Sequence, residues 1–182
     1  VIADYLYTLQ ALYNYGDFFT LNVSSPNTPG LRKLQAKEFL APIAEAVLQY
    51  SEKLAEPGEQ QKPVLVKIAP DLTFLEIDEI LEVIQNTGIA GIVAVNTTTA
   101  RTGLSAKREI IHEEGGLSGK PLKHRALEIV HYIRMRCPTL PIIGVGGISN
   151  GNDAYQMMCA GANLIQILTG LVYQGPGLPK HI

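Results

Sequence analysis

Five short apolar runs alternate with segments of helical periodicity along this chain. The runs are continuous and rich in valine and isoleucine, which is typical of strands in a buried parallel sheet. They cover residues 18–23, 63–68, 91–96, 141–145 and 163–168. Apolar residues at helical spacing predict later helices over residues 37–54, 71–86, 121–135 and 152–160. This alternation predicts an α/β fold.

Local signals place the ends of several helices. The first helix begins near Ile2, and Gly16 is its predicted C-cap. Thr73 and Glu76 have the spacing of a capping box, in which each side chain bonds to the other residue's backbone amide. Gly88 lies where a glycine commonly ends the same helix.

Residues 97–119 show no clear periodicity. The segment is long for a connection in a compact domain, and such loops are often lids or binding loops. A solvated lid surface is predicted for its charged residues, Arg101, Lys107, Arg108, Glu113 and Glu114. No metal site is predicted, because neither metal-ligand nor dyad spacing occurs among the histidines, His112, His124, His131 and His181.

Two architectures fit this order of elements, a doubly wound sheet and a (β/α)8 TIM barrel. Each predicted strand ends in polar residues or glycines, namely Asn22 and Ser25, Lys67, Asn96 and Thr97, Gly146 and Gly147, and Thr169 and Gly170. In a barrel these ends meet at one mouth, which favours the barrel. A barrel has eight strands. We therefore expect residues 1–182 to form the C-terminal part of one barrel domain, its last five βα units, with the first three strands missing.

The composition excludes several classes of protein. The chain has 182 residues, of which 46% are hydrophobic and 18% charged, with a net charge of −2, so neither disorder nor nucleic-acid binding is indicated. Cys137 and Cys159 exclude a disulfide scaffold. No apolar run is long enough to span a bilayer. The start at Val1 lacks both an initiator Met and a signal-peptide pattern. We therefore expect a soluble, excised or mature piece.

Glycines follow the last two predicted strands, at Gly144, Gly146 and Gly147 and again at Gly170. Barrels often bind phosphate at these two loops, where glycines let backbone amides approach an anion. The pattern predicts a phosphate site, and both a phosphosugar and flavin mononucleotide (FMN) fit it. The alternative interpretation is that these glycines only form tight turns that need positive φ angles.

Polar residues at the first three strand ends point to a ligand. Lys67 ends an apolar strand, either as a fixed cation at the mouth or as a lysine that extends to solvent. Asn22, Asn27 and Asn96 suit a planar ligand with alternating C=O and N–H groups, although asparagines also cap turns. Ser25 lies outside any G-x-S-x-G elbow, so its residue type alone gives little support for catalysis.

Five blocks of sequence, in order, resemble the dihydroorotate dehydrogenase family. They are NVSSPNTPGLR at 22–32, VKIAPDL at 66–72, NTT at 96–98, GGLSGKPL at 115–122 and PIIGVGGI at 141–148. The serine at position 25 resembles the class 2, quinone-dependent branch, because class 1 enzymes carry cysteine there.

The resemblance implies an FMN-containing enzyme that oxidises dihydroorotate to orotate in de novo pyrimidine biosynthesis, with quinone as the final electron acceptor. It implies that Ser25 is the general base that removes the C5 proton. The implied substrate-binding residues are Asn22, Asn27, Asn96 and Thr97. The implied cofactor-binding residues are Asn22, Lys67, Val95, Gly119, Gly147, Leu168 and Thr169.

The resemblance also implies parts that this sequence lacks. They are the N-terminal barrel strands and the helices that dock class 2 enzymes peripherally on the cytoplasmic side of a membrane and admit quinone. Two alternatives remain open. One is a catalytically incompetent barrel fragment that binds at most a phosphate and self-associates through exposed sheet edges. The other is a phosphosugar isomerase, which gives no role to the block around Ser25.

Overall fold

A computed structural model describes residues 1–105, 111 and 113–182. The predicted lid residues Lys107 and Arg108, as well as His112, lie outside the described residues. The described chain contains a five-stranded parallel sheet with the strands in sequence order. The strands are β1 (Phe19–Asn22), β2 (Val64–Ile68), β3 (Gly91–Ala94), β4 (Ile142–Val145) and β5 (Leu164–Gln166).

Helices separate the strands, as the periodicity predicts, and two short helices that were not predicted follow β5. They are α1 (Ile2–Leu12), α2 (Lys37–Leu54), α3 (Phe74–Thr87), α4 (Lys123–Arg136), α5 (Gly151–Ala160), α6 (Thr169–Gln174) and α7 (Leu178–His181). Short 3-10 helices occur at Tyr13–Tyr15, Leu31–Gln35 and Lys120–Leu122.

The strand order distinguishes the two candidate architectures. A doubly wound sheet reverses its strand order at a switch point, whereas consecutive strands here are always neighbours. With right-handed crossovers this order puts all connecting helices on one face of the sheet. The sheet is therefore a run of five (β/α)8 barrel units, and the prediction of a barrel is confirmed.

Side-chain alternation divides the sheet into two faces. The larger core lies between the sheet and the helices and includes Val66, Ile68 and Ile92. A smaller cluster on the inner face joins Leu65, Val93 and Ile143 with Val145. Because side chains two residues apart share a face, Lys67 lies on the inner face with Leu65.

The predicted ends of α3 are largely confirmed. The capping box is formed, with the Thr73 hydroxyl accepting from the Glu76 amide and the Glu76 carboxylate accepting from the Thr73 amide. Gly88 ends the helix in the left-handed region at φ 87°. The predicted start at Asp71 is wrong, since the helix begins at Phe74 and the Asp71 carboxylate is bonded elsewhere.

Two other predicted bounds are corrected, and a helix is found where none is predicted. α1 ends at Leu12 and passes into a 3-10 turn, and Gly16 after that turn is extended rather than left-handed. β5 ends at Gln166 because Leu168 becomes the N-cap of α6. The tail after Gly175, which has no predicted element, contains α7.

We expect Thr73→Ala to lower the free energy of unfolding by about 1 kcal/mol, because the first turn of α3 loses its cap. Urea denaturation followed by circular dichroism measures the change. Thr87→Ala is the matched control, since that hydroxyl only donates to the Val83 carbonyl of its own helix. Equal midpoints for Thr73→Ala and the parent would contradict the capping role.

Candidate functional site

A hydrogen-bonded group of polar side chains joins the carboxyl ends of β1 and β3. The Asn96 side-chain nitrogen donates to Asn22 Oδ1 (3.2 Å) and to Ser24 Oγ (3.0 Å). Ser24 Oγ also donates to Asn22 Oδ1 (3.4 Å). Asn96 Oδ1 accepts from the Thr97 amide (2.9 Å), which orients the side chain. Of the predicted substrate residues, the structure therefore brings Asn22, Asn96 and Thr97 together.

Ser25 and Asn27 lie on the loop that follows β1. Ser25 is partly buried, and its Oγ accepts from the Asn27 amide (3.3 Å). Asn27 Oδ1 accepts from the Gly116 amide (3.1 Å), so its side chain joins this loop to the segment that follows β3. A side chain at Gly116 would collide with Thr97, which explains the glycine there. Asn27 is exposed and contacts neither Asn22 nor Asn96 by a hydrogen bond among the described residues.

Lys67 is opposite Asn22 in the β1–β2 register, so both side chains belong to the inner face. Burial lowers the pKa of the Lys67 ammonium, and no charged neighbour among the described residues offsets the effect. Within the described residues, no negative charge therefore compensates for the desolvation of this cation. A negative ligand at the inner face would relieve that cost.

A cavity of about 910 Å³ adjoins this group and opens at the carboxyl ends of the strands. Two of the predicted substrate-binding residues, Asn96 and Thr97, line it. The predicted cofactor-binding residues other than Asn22 also line it, namely Lys67, Val95, Gly119, Gly147, Leu168 and Thr169. Val95 is buried and its amide donates to the Val145 carbonyl (3.0 Å), whereas Leu168 is largely exposed.

The far end of the cavity has the features of an anion cradle. Gly147 has φ 70°, and a Cβ there would lie 2.5 Å from the Lys123 Cβ. The amides of Gly147 and Ile148 find no acceptor among the described residues. Gly119 has φ 79° and packs against Thr169, whose Oγ1 donates to Ser118 Oγ (2.7 Å). Backbone amides exposed beside glycines bind phosphate groups well.

Asp153 holds the loop that carries these amides. Its carboxylate accepts from Lys123 Nζ (2.5 Å) and from the amide and hydroxyl of Ser149 (2.9 and 2.8 Å). Burial alone would raise the pKa of Asp153, but the hydrogen bonds from Lys123 and Ser149 outweigh it and the pKa is lowered. The carboxylate therefore stays ionised and keeps the Gly147 loop in place.

Sequence reasoning missed an ion pair that links three strand-end loops. Arg32 Nη1 is 2.7 Å from Asp71 Oδ2, while Nη2 donates to the Thr97 carbonyl (2.8 Å) and Nε to the Ser24 carbonyl (3.3 Å). Both side chains are about three-quarters buried, at 24% and 27% exposure. The available signal was weak: each residue stands in a loop after a strand, 39 positions apart.

Arg101 departs from the predicted solvated surface of the long loop. Its guanidinium donates to the Gly115 carbonyl (2.6 Å), the Glu113 carbonyl (3.2 Å) and the Thr98 carbonyl (3.2 Å). It thus fastens the two described ends of the loop to each other. The side chains of Glu113 and Glu114 are exposed, as predicted.

A family model described as dihydroorotate dehydrogenase matches residues 1–182. The chain belongs to the dihydroorotate dehydrogenase family. It is 45% identical over 182 residues to a dihydroorotate dehydrogenase (quinone) of Christiangramia forsetii, covering all of this chain and 52% of that protein. It is 50% identical over 186 residues to the enzyme of that name from Trichodesmium erythraeum, covering 98% of this chain and 47% of that protein.

A solved dihydroorotate dehydrogenase has the same fold. The crystal structure of the Eimeria tenella protein in complex with ferulenol superposes with a TM-score of 0.91 at 35% identity, covering 100% of this chain and 52% of that one. The chain thus spans about half the length of the dehydrogenases that it matches. This likeness supports the assignment of the five strands to a barrel.

In the described ranges, 1–105, 111 and 113–182, no helix combines the length and hydropathy needed to cross a membrane. Within the same ranges, no three His, Cys, Asp or Glu residues group as metal ligands.

We expect Lys67→Met to raise the melting temperature of the ligand-free protein by a few degrees, because methionine carries no charge to desolvate. Since the folded pKa is lowered, the cost of the charged lysine is full at neutral pH. It shrinks as the pH rises through the folded pKa towards 10.5. The gap in melting temperature should therefore narrow at alkaline pH. Lys62→Met, which breaks a bond to the Tyr13 carbonyl, should instead be destabilising; a lower melting temperature for Lys67→Met would contradict the account.

Proposed function

We propose that this chain forms the C-terminal part of an FMN-dependent dihydroorotate dehydrogenase that oxidises dihydroorotate to orotate in de novo pyrimidine biosynthesis. The observation that carries the proposal is one of adjacency. Three features border one mouth of the sheet. They are the bonded side-chain amides of Asn22 and Asn96, the desolvated cation of Lys67 and the glycine cradle at Gly147. A planar polar substrate and a phosphate-bearing cofactor together need this combination.

The residues at the cavity fit FMN. The amides of Gly147 and Ile148, which have no acceptor within the described part of the chain, suit its phosphate, as do Gly119 and Thr169 across the cavity. Lys67 suits the electron-rich N1–O2 edge of its ring, where a fixed cation stabilises negative charge. When bound, FMN supplies the hydride acceptor of the reaction.

The substrate ring would be held by the side chains of Asn22, Asn27, Asn96 and Thr97. Amides and hydroxyls both donate and accept, so they complement the alternating C=O and N–H groups of dihydroorotate. In the structure the Asn96 amide already donates to Asn22 and Ser24, which fixes its orientation before a ligand arrives. Such preorganisation lowers the entropic cost of binding.

Ser25 would act as the general base that accepts the C5 proton at Oγ. A serine hydroxyl is a weak base, so it would have to pass its own proton to a relay as it takes the C5 proton, in a site of low water content. The Asn27 amide already donates to Ser25 Oγ, and the side chain is partly buried. The quinone-dependent class of the relatives supports quinone as the final electron acceptor.

We expect Ser25→Ala to slow reduction of bound flavin by dihydroorotate by at least about 100-fold, because the base is lost. FMN content and orotate binding should be retained. Anaerobic stopped-flow absorbance of the flavin-loaded protein measures the rate. Ser51→Ala is the matched control, because the buried Ser51 hydroxyl has no hydrogen-bond partner among the described residues. Undiminished reduction in Ser25→Ala would exclude Ser25 as the base.

We expect Gly147→Ala to weaken FMN binding by at least about tenfold, because charge-assisted amide bonds to the phosphate are displaced. The new Cβ is forced against Lys123 at a positive φ. Visible flavin absorbance after equilibrium dialysis measures the affinity. Gly58→Ala controls for backbone strain, since Gly58 has φ 91° with nothing near its Cβ direction. Equal affinities for Gly147→Ala and Gly58→Ala would place the phosphate elsewhere.

A further inference from the structure

We propose that Arg32 and Asp71 are positioning residues that together hold the Ser25 loop at its working distance from the strand-end amides. The inference rests on the proposed function, in which Ser25 is the base. Arg32 donates to the carbonyl of Ser24, the residue before the base, and to the carbonyl of Thr97, the residue after Asn96. One guanidinium therefore sets the spacing between the loop after β1 and the loop after β3.

Asp71 extends the same link to the loop after β2. Besides Arg32, its carboxylate accepts from the Thr98 hydroxyl and from the Thr99 amide (3.2 Å). About three-quarters of each side chain is covered, so solvent screens the pair less than it screens a fully exposed ion pair. Three strand-end loops thus meet at one partly buried pair of opposite charges.

The geometry of the contacts requires arginine in particular. Nε donates to the Ser24 carbonyl, Nη1 to the Asp71 carboxylate and Nη2 to the Thr97 carbonyl. The planar guanidinium thus bonds to three different loops at once. A lysine keeps the charge but is a point donor on a flexible stem. Arg32→Lys therefore preserves the ion pair in part while releasing at least one of the two carbonyls.

The backbone around Arg32 is held independently of the guanidinium. Gln35 is buried at 4% exposure, its side-chain nitrogen donates to the Arg32 carbonyl (3.2 Å), and its Oε1 accepts from the Ala69 amide (2.8 Å). The bond to the Ala69 amide anchors the 3-10 helix Leu31–Gln35 to the chain after β2. We therefore expect variants of the Arg32 side chain to fold with the 3-10 helix in place.

The expected effect falls on the chemical step more than on binding. Proton transfer needs the base within hydrogen-bond reach of the carbon-bound proton, and a displacement of about 1 Å can cost about 100-fold in rate. Orotate binding is spread over several side chains, of which Asn22 and Asn96 are held to each other directly. Asn27 lies on the same loop, so loosening it should weaken the affinity for orotate slightly, but it should reduce kcat far more.

The test compares Arg32→Lys, Asp71→Asn and the double variant in the flavin-loaded holoenzyme that contains this chain. Arg136→Lys is the matched control, because Arg136 pairs with Asp78 across the outer helical surface (2.9 Å). Three quantities are measured: the rate of flavin reduction at saturating dihydroorotate, the Kd of orotate from the flavin spectrum, and amide hydrogen exchange across residues 23–30 without substrate.

We expect each single variant to reduce flavin at least about tenfold more slowly, with the orotate Kd within about threefold of the parent. Amides of residues 23–30 should exchange at least about tenfold faster. The double variant should be no slower than the slower single variant, because both substitutions break one unit. Arg136→Lys should match the parent in all three quantities.

The joint positioning role would be overturned if Arg32→Lys reduced flavin at the parental rate. It would also be overturned if the loss of rate in the double variant equalled the product of the two single losses. Unchanged hydrogen exchange would overturn it as well. If the unsubstituted holoenzyme itself fails to reduce flavin with dihydroorotate, the proposed function fails. In that case the exchange rates alone decide whether Arg32 and Asp71 hold the loop.

Discussion

The parallel pairing of β1, β2 and β3 is the constraint on which the rest of the site depends. The register sets Asn22 opposite Lys67, and just beyond it the Asn96 amide donates to the Ile68 carbonyl (2.8 Å). Because side chains alternate along a strand, a shift of one residue would turn Lys67 towards the isoleucine-rich core beneath the helices. Burial of its ammonium there would cost far more than its present half-buried position, so the fold strongly disfavours such a one-residue shift.

This constraint divides the mouth into two chemically different ends. Near β1 and β3, amide side chains offer donors and acceptors to a planar polar ring. Beyond β4, backbone amides beside Gly147 offer donors only, which suits a phosphate. Lys67 lies on the inner face of β2, between β1 and β3, and gives the cavity its desolvated cation. The proposed flavin and dihydroorotate would meet where these two environments join.

Local patterns predicted the strands, the helices between them and the polar residues at the strand ends, because strand ends and capping boxes are encoded over a few positions. Val95, Gly119 and Leu168, which also line the cavity, were expected only from the family resemblance. The Thr73–Glu76 box is an example. The Arg32–Asp71 pair could not be predicted in this way, since its partners are 39 positions apart and Asp71 reads like the start of a helix. Arg101 was misjudged for a related reason: nothing local shows that carbonyls from the far side of its loop surround it.

Titration of the FMN-loaded protein with orotate, followed by visible absorbance, tests the central claim most directly. We expect stoichiometric FMN and a saturable spectral shift, because orotate held by the strand-end amides would lie at the same mouth as the flavin. Asn96→Ala should weaken that shift without removing the flavin, since Asn96 belongs to the substrate end of the mouth. A protein that retains no FMN, or one whose flavin spectrum ignores orotate, would contradict the account and favour a fragment that binds at most a phosphate.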